Sequence, residues 1–169
     1  MFILPDYTKC TVAVIGLGYV GLPLAVEFAK KKKCLISGNK TFRSIIGFDT
    51  NQLRVEELIS GLDSTNENAR KDLISENLFY TTDDKYLAKA DIFIITVPTP
   101  VDDAKKPNLR PLKEASTTVA KALKLKYSYK NHFDSNYKHP IVIYESTVFP
   151  GATEEVCIPI IEKESSQKV

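Results

Sequence analysis

Gly16-Leu17-Gly18-Tyr19-Val20-Gly21 is a G-x-G-x-x-G run set directly between the β-branched stretch Thr11–Ile15 and an amphipathic segment. In that setting each glycine has its own task. Gly16 permits a tight turn, Gly18 lets the backbone approach a pyrophosphate, and Gly21 lets strand and helix pack closely, while the free amides at the helix start face the anion. The chemistry this predicts is dinucleotide binding; the alternative is a tight turn without a ligand. Asp49 closes the next apolar run, Ser44 to Asp49. A carboxylate there accepts hydrogen bonds from both hydroxyls of an adenosine ribose and repels a 2′-phosphate, so NAD is expected over NADP. Asp49 stands farther from the motif than the usual ~20 residues, a delay that the lysines and the Ser37-Gly38-Asn39 turn explain as a loop insertion. Asp49 would also cap the helix that follows, and the two roles are compatible. Arg54 either lies over the adenine, reaches a phosphate, or is a solvated helix residue.

These groups need a scaffold, and the hydrophobic pattern supplies one. Short continuous apolar runs at 11–15, 44–49, 91–97 and 141–144, with a weaker one at 78–80, read as strands. Helices are expected from Tyr19 to about Lys32, with Pro23 in the first turn, and from Asn51 to Ser60, with Val55, Leu58, Ile59 and Leu62 on its apolar face and Gly61 as its stop. Further helices are expected over 66–76, 111–124 and 153–164, the last kinked at Pro159. Pro98, Pro100, Pro107 and Pro111 keep the segment from Pro98 to Arg110 an extended loop. The polar stretch 127–138 reads as a surface insertion without an assigned role. Buried strands alternating with helices predict an α/β domain, a Rossmann-like doubly wound and mostly parallel sheet.

The 169 residues correspond to one domain. With 43% apolar and 26% charged residues, the composition is that of an ordinary soluble domain, not a disordered or fibrous chain. Lys and Arg exceed Asp and Glu by only 23 to 21, too small a margin for a nucleic-acid binder. Cys10, Cys34 and Cys157 are widely spread and odd in number, which argues against zinc and disulfide frameworks and for a reducing compartment. No signal peptide or membrane span is read from the sequence, so a cytoplasmic location without nucleic-acid or membrane partners is expected. His132 and His139 receive no role.

Four segments in order resemble one family, the UDP-glucose/GDP-mannose dehydrogenases: the stretch from Val14 to Ala25, Gly47-Phe48-Asp49-Thr50-Asn51 with Arg54, Val97-Pro98-Thr99-Pro100, and Glu145-Ser146-Thr147-Val148-Phe149-Pro150-Gly151. The resemblance implies a sugar-nucleotide dehydrogenase that oxidises a C6 alcohol to a carboxylate in two steps with two NAD. It further implies a cofactor site made of Gly16, Gly18, Tyr19, Val20, Gly21, Asp49, Arg54, Val97, Pro98, Thr99, Ser146 and Thr147, with Thr147 also the catalytic position beside nicotinamide. The wording around Thr147 looks most like the branch acting on UDP-N-acetylhexosamines for surface polysaccharides.

The family's covalent chemistry uses a cysteine in a Gly-Gly-x-Cys setting, and its substrate and dimerisation segments come later in the chain. Neither is found here. Cys157 precedes Ile158-Pro159 without a glycine pair or a basic partner and reads as a buried structural thiol. The expectation is therefore an NAD-binding domain that is inactive alone, with a homodimer possible in a longer form. The alternatives are the cofactor domain of another NAD-linked dehydrogenase and a non-catalytic NAD-sensing module.

Overall fold

The computed structural model describes residues 3–101, 106–128 and 138–168. Five strands, β1 (Thr11–Ile15), β2 (Ser44–Phe48), β3 (Leu78–Thr81), β4 (Ile92–Ile95) and β5 (Ile141–Tyr144), form one sheet in the order β3-β2-β1-β4-β5. Every pairing is parallel, with Ala13 opposite both Ile46 and Phe93. The chain moves outward from β1 through β2 to β3, then returns across β1 to lay down β4 and β5. The order reverses between β1 and β4, the place where open α/β sheets leave a crevice at the carboxyl ends of their strands.

Because side chains alternate along a strand, each face of the sheet needs its own cover. Val12, Val14, Ile45 and Ile94 pack under α1 (Gly21–Lys30), α2 (Gln52–Ile59) and the single turn α3 (Arg70–Leu73), through Leu22, Val26, Leu58 and Leu73. Ala13, Ile15, Phe48, Phe93 and Ile95 pack on the other side against α4 (Arg110–Ser128), α5 (Ile158–Ser165) and a 3-10 turn at Asp84–Lys89, through Leu87, Leu112, Val119 and Ile161. Both layers are closed, so the doubly wound α/β expectation holds.

Several local expectations need correction. The helix expected over 66–76 shrinks to the four residues of α3, because Asp63 takes the amides of Thr65, Glu67 and Asn68 and holds that stretch in a turn. Val55 and Leu58 of α2 are buried, while Ile59 at its end and Leu62 beyond it are exposed, so the apolar face is narrower than its spacing implies. The last expected helix also departs from a regular α-helix just ahead of Pro159. A π-helical turn at Thr153–Cys157 runs into α5, and Pro159 sits in the first turn of α5, where no amide is required. Residues 129–137 of the supposed surface insertion, His132 among them, lie outside the described residues.

Candidate cofactor site

Gly16 leaves β1 at φ +96°, a left-handed conformation that favours glycine. Its amide donates to the Phe48 carbonyl of β2, which ties the turn to the next strand. Thr96, at the end of β4, donates from Oγ1 toward the carbonyls of Ile15 (3.0 Å) and Gly16 (2.8 Å), so the turn is held from both neighbouring strands. A Cβ at Gly21 would collide with the Gly16 carbonyl oxygen and Thr96 Oγ1, which is the close helix-to-strand packing assigned to that glycine. At Gly18 the reverse holds: an added Cβ would meet nothing within 4 Å. The space belongs to a cleft that Gly18 lines. Among the described residues, the amides of Gly18, Tyr19 and Val20 have no hydrogen-bond acceptor, and they stand at the amino end of α1, where the helix dipole favours an anion.

Leu17, between the first two glycines, is clamped from opposite sides. Its amide donates to Asp49 Oδ2 at 2.7 Å, and its carbonyl accepts from Arg54 Nε at 3.0 Å. Asp49 Oδ1 also accepts from the Asn51 amide, while Asn51 caps α2 by accepting from the Arg54 amide. Asp49 thus closes the glycine turn and braces the start of α2 while remaining part of the cleft wall. Each carboxylate oxygen spends one lone pair on an amide and keeps another for a ribose hydroxyl.

Arg54 departs from expectation. It is only 8% exposed, and its guanidinium is committed to the Leu17 carbonyl, Asp63, Ser64 and Thr65 behind the glycine loop. It neither lies along the cleft nor is solvated. The reason is the buried carboxylate of Asp63, 2.8 Å from the guanidinium, whose charge outcompetes water. Burial of Asp63 opposes ionisation, but hydrogen bonds from Thr65, Arg54 and the amides of Asn68 and Thr65 outweigh it and hold the pKa at about 2.

The opposite wall comes from the loops after β4 and β5. Ser146 Oγ donates to the Val97 carbonyl at 2.6 Å, and Thr99 Oγ1 donates to the Thr147 carbonyl. Two hydrogen bonds therefore fasten the proline-rich loop to the Ser-Thr turn. A cleft section of about 360 Å³ is bounded by Gly18, Tyr19, Val20, Asp49, Val97, Pro98, Thr99, Ser146 and Thr147. A second section of about 240 Å³ shares Gly16, Asp49, Val97 and Pro98 with it and extends under Pro111, Glu114 and Thr118 of α4. Gly16, Gly18, Thr99 and Thr147 thus meet on one surface, whereas Gly21 and Arg54 act from behind it. The sequence reading missed Thr96, hidden as the polar end of an apolar strand, and the α4 wall, whose 111, 114 and 118 spacing lies on one helical face.

With anion-binding amides at the glycine turn and free carboxylate lone pairs at Asp49, the two sections together could hold a dinucleotide. None of the cysteines can reach a ligand there. Cys10 and Cys157 are buried, and burial pushes both thiols up; Cys34 lies on a different groove.

Comparison with known proteins agrees with this geometry. Residues 10–169 match the UDP-glucose/GDP-mannose dehydrogenase family, NAD binding domain. The chain is 48% identical over 153 residues to the UDP-N-acetyl-D-glucosamine 6-dehydrogenase of Pseudomonas aeruginosa, covering 90% of this chain and 31% of that protein. It is 46% identical to protein CapL of Staphylococcus aureus, again spanning 31% of the relative. The solved UDP-glucose dehydrogenase of Pyrobaculum islandicum superimposes with a TM-score of 0.73 at 26% identity, over 98% of this chain and 35% of that one. The chain thus spans about a third of the length of the relatives it matches. With the family motif sequence, the parallel sheet and the glycine-lined cleft in agreement, this chain belongs to the UDP-glucose/GDP-mannose dehydrogenase family, as its NAD-binding domain.

Proposed function

We propose that this domain supplies the NAD site of a cytoplasmic UDP-sugar 6-dehydrogenase that oxidises the C6 alcohol of a UDP-N-acetylhexosamine to a carboxylate for surface polysaccharide synthesis. The observation that carries the reading is the meeting of the glycine turn, Asp49, the Thr99 loop and the Ser146-Thr147 turn along one cleft at the β1/β4 switch point. The 48% identity to a UDP-N-acetyl-D-glucosamine 6-dehydrogenase supports the choice of sugar class. NAD, when bound, accepts the hydride. The chain's own residues hold and orient it: the amides of Gly18, Tyr19 and Val20 receive the pyrophosphate, and the Asp49 carboxylate receives the adenosine ribose hydroxyls.

Thr147 stands at the nicotinamide end as the catalytic position, with its backbone fixed by Thr99 and its neighbour Ser146 fixed by Val97. Oxidation to the acid also requires a nucleophile that holds the aldehyde, and no thiol of this chain faces the cleft. The complete protein carrying this domain, given NAD and UDP-N-acetylglucosamine or UDP-N-acetylgalactosamine, should form NADH and the uronic acid, with Thr147→Ala lowering kcat by at least about tenfold. The 169 residues alone should form none. A complete protein that reduces NAD with neither sugar nucleotide would overturn the substrate class. Unchanged kcat in Thr147→Ala would remove that residue from the reaction.

A further inference from the structure

At the end of the sheet opposite the cofactor cleft, residues 33–40 form a small excursion between α1 and β2, closed by an antiparallel bridge from Lys33 to Lys40. Its tip is apolar and bare: Leu35 is 87% exposed and Ile36 98%. Tyr7 joins the same surface through a 3.2 Å hydrogen bond to Ser37. Below the tip runs an apolar groove of about 450 Å³ lined by Leu24, Phe28, Leu35 and Ile36. A second groove of about 540 Å³, lined by Lys32, Lys33, Lys40 and Arg43, adjoins it and shares Lys33 and Arg43.

Residues 30–43 hold six of the chain's 23 Lys and Arg and none of its 21 Asp and Glu, which leaves the rest of the chain net acidic. Some of this charge is used internally. Lys30 pairs with Glu27 and Asp72, Lys32 donates to Asn77, and Arg43 lies over the Phe28 ring. Lys31, Lys33 and Lys40 make no ion pair among the described residues, and Glu27 and Glu76 are the acidic groups bordering the two grooves.

We propose that this tip docks on an anionic membrane surface, with Leu35 and Ile36 entering the acyl boundary and the collar of Lys31, Lys33 and Lys40 resting on phosphate headgroups. Apolar side chains ringed by cations suit a layer that is charged outside and apolar inside, since interfacial binding adds buried apolar area to attraction for anionic lipid. A second copy of the chain fits badly, because apposing two such collars brings like charges together. No helix among the described residues is long and apolar enough to cross a membrane, so the contact is peripheral. It differs from the expectation of no membrane partner, which rested on the lack of a spanning run and could not register the exposure of two residues at a turn. The tip lies at the amino ends of the strands, so docking leaves the cleft at their carboxyl ends open.

Flotation with phosphatidylcholine vesicles, alone or mixed with equal phosphatidylglycerol, tests this on the 169-residue chain. The chain should float with the mixed vesicles and not with phosphatidylcholine alone, and binding should weaken as salt rises past about 0.15 M. Leu35→Ser with Ile36→Ser should lower the bound fraction at least about tenfold while leaving NAD affinity and the thermal transition unchanged. Lys31→Glu with Lys33→Glu and Lys40→Glu should abolish binding. The proposal is overturned if the parent stays soluble, if either variant floats as well as the parent, or if sedimentation reveals a dimer that the serine variant dissolves, which would give the patch to a second copy.

Discussion

The three motif glycines are chemically identical and do different work, and single substitutions separate them. Gly18 faces open cleft, so Gly18→Ala should fold with nearly the parent's thermal transition while losing at least about tenfold in NAD affinity, because the new methyl occupies the pyrophosphate's approach. Gly21→Ala forces a methyl onto the Gly16 carbonyl and Thr96 Oγ1 and should cost about 1–3 kcal/mol of stability, whatever its effect on cofactor. Denaturant titration and calorimetry on the two variants read the two quantities separately. If Gly18→Ala binds NAD as the parent does, the pyrophosphate does not lie on that turn. The turn at Gly16 and the close packing at Gly21 were legible in the sequence because G-x-G-x-x-G between a strand and a helix has few structural meanings. The role of Arg54 was not, since its partner Asp63 is nine residues away and its burial depends on how the segment after α2 folds back.

In the segment after α2, local side-chain chemistry overrides the hydrophobic pattern. Spacing alone made 66–76 a helix, but the Asp63 carboxylate captures three amides and the Arg54 guanidinium, and the stretch becomes a turn that supports the glycine loop from behind. Side-chain capture of backbone amides is local chemistry that hydrophobic periodicity does not register. The strands were legible for the converse reason. In a sheet covered on both faces they are continuous apolar runs, and those at 11–15 and 141–144 match their expected bounds. The Asp63 pKa lies at about 2 in the folded chain against an ordinary value of 3.8, so its ionisation favours the folded state. That contribution is complete above about pH 4 and is lost as pH falls toward 2. Chemical denaturation across this window should show stability falling with pH in the parent and a flatter profile in Asp63→Asn, which should also be less stable at neutral pH. Parallel profiles would mean that the Arg54–Asp63 pair does not hold the turn.

For the molecule as a whole, the cleft lies where the strand order reverses, between loops leaving the carboxyl ends of strands, with α4 flanking its smaller section. On the proposed reading, the glycine turn with Asp49 receives the adenosine half, and Thr99 joined to Ser146 and Thr147 faces the reacting half. The charge of Asp49 is expected to make this cleft select NAD, and titration calorimetry of the 169-residue chain with NAD and NADP, repeated on Asp49→Asn, measures that selection. NAD should bind at least about tenfold more tightly than NADP in the parent, because a 2′-phosphate would meet a fixed carboxylate at short range. Asn keeps an oxygen for the Leu17 amide but removes the charge, so the gap should narrow mainly through better NADP binding. Equal affinities for the two cofactors in the parent would show that Asp49 does not select between them, and no heat with NAD at all would show that the cleft does not hold it.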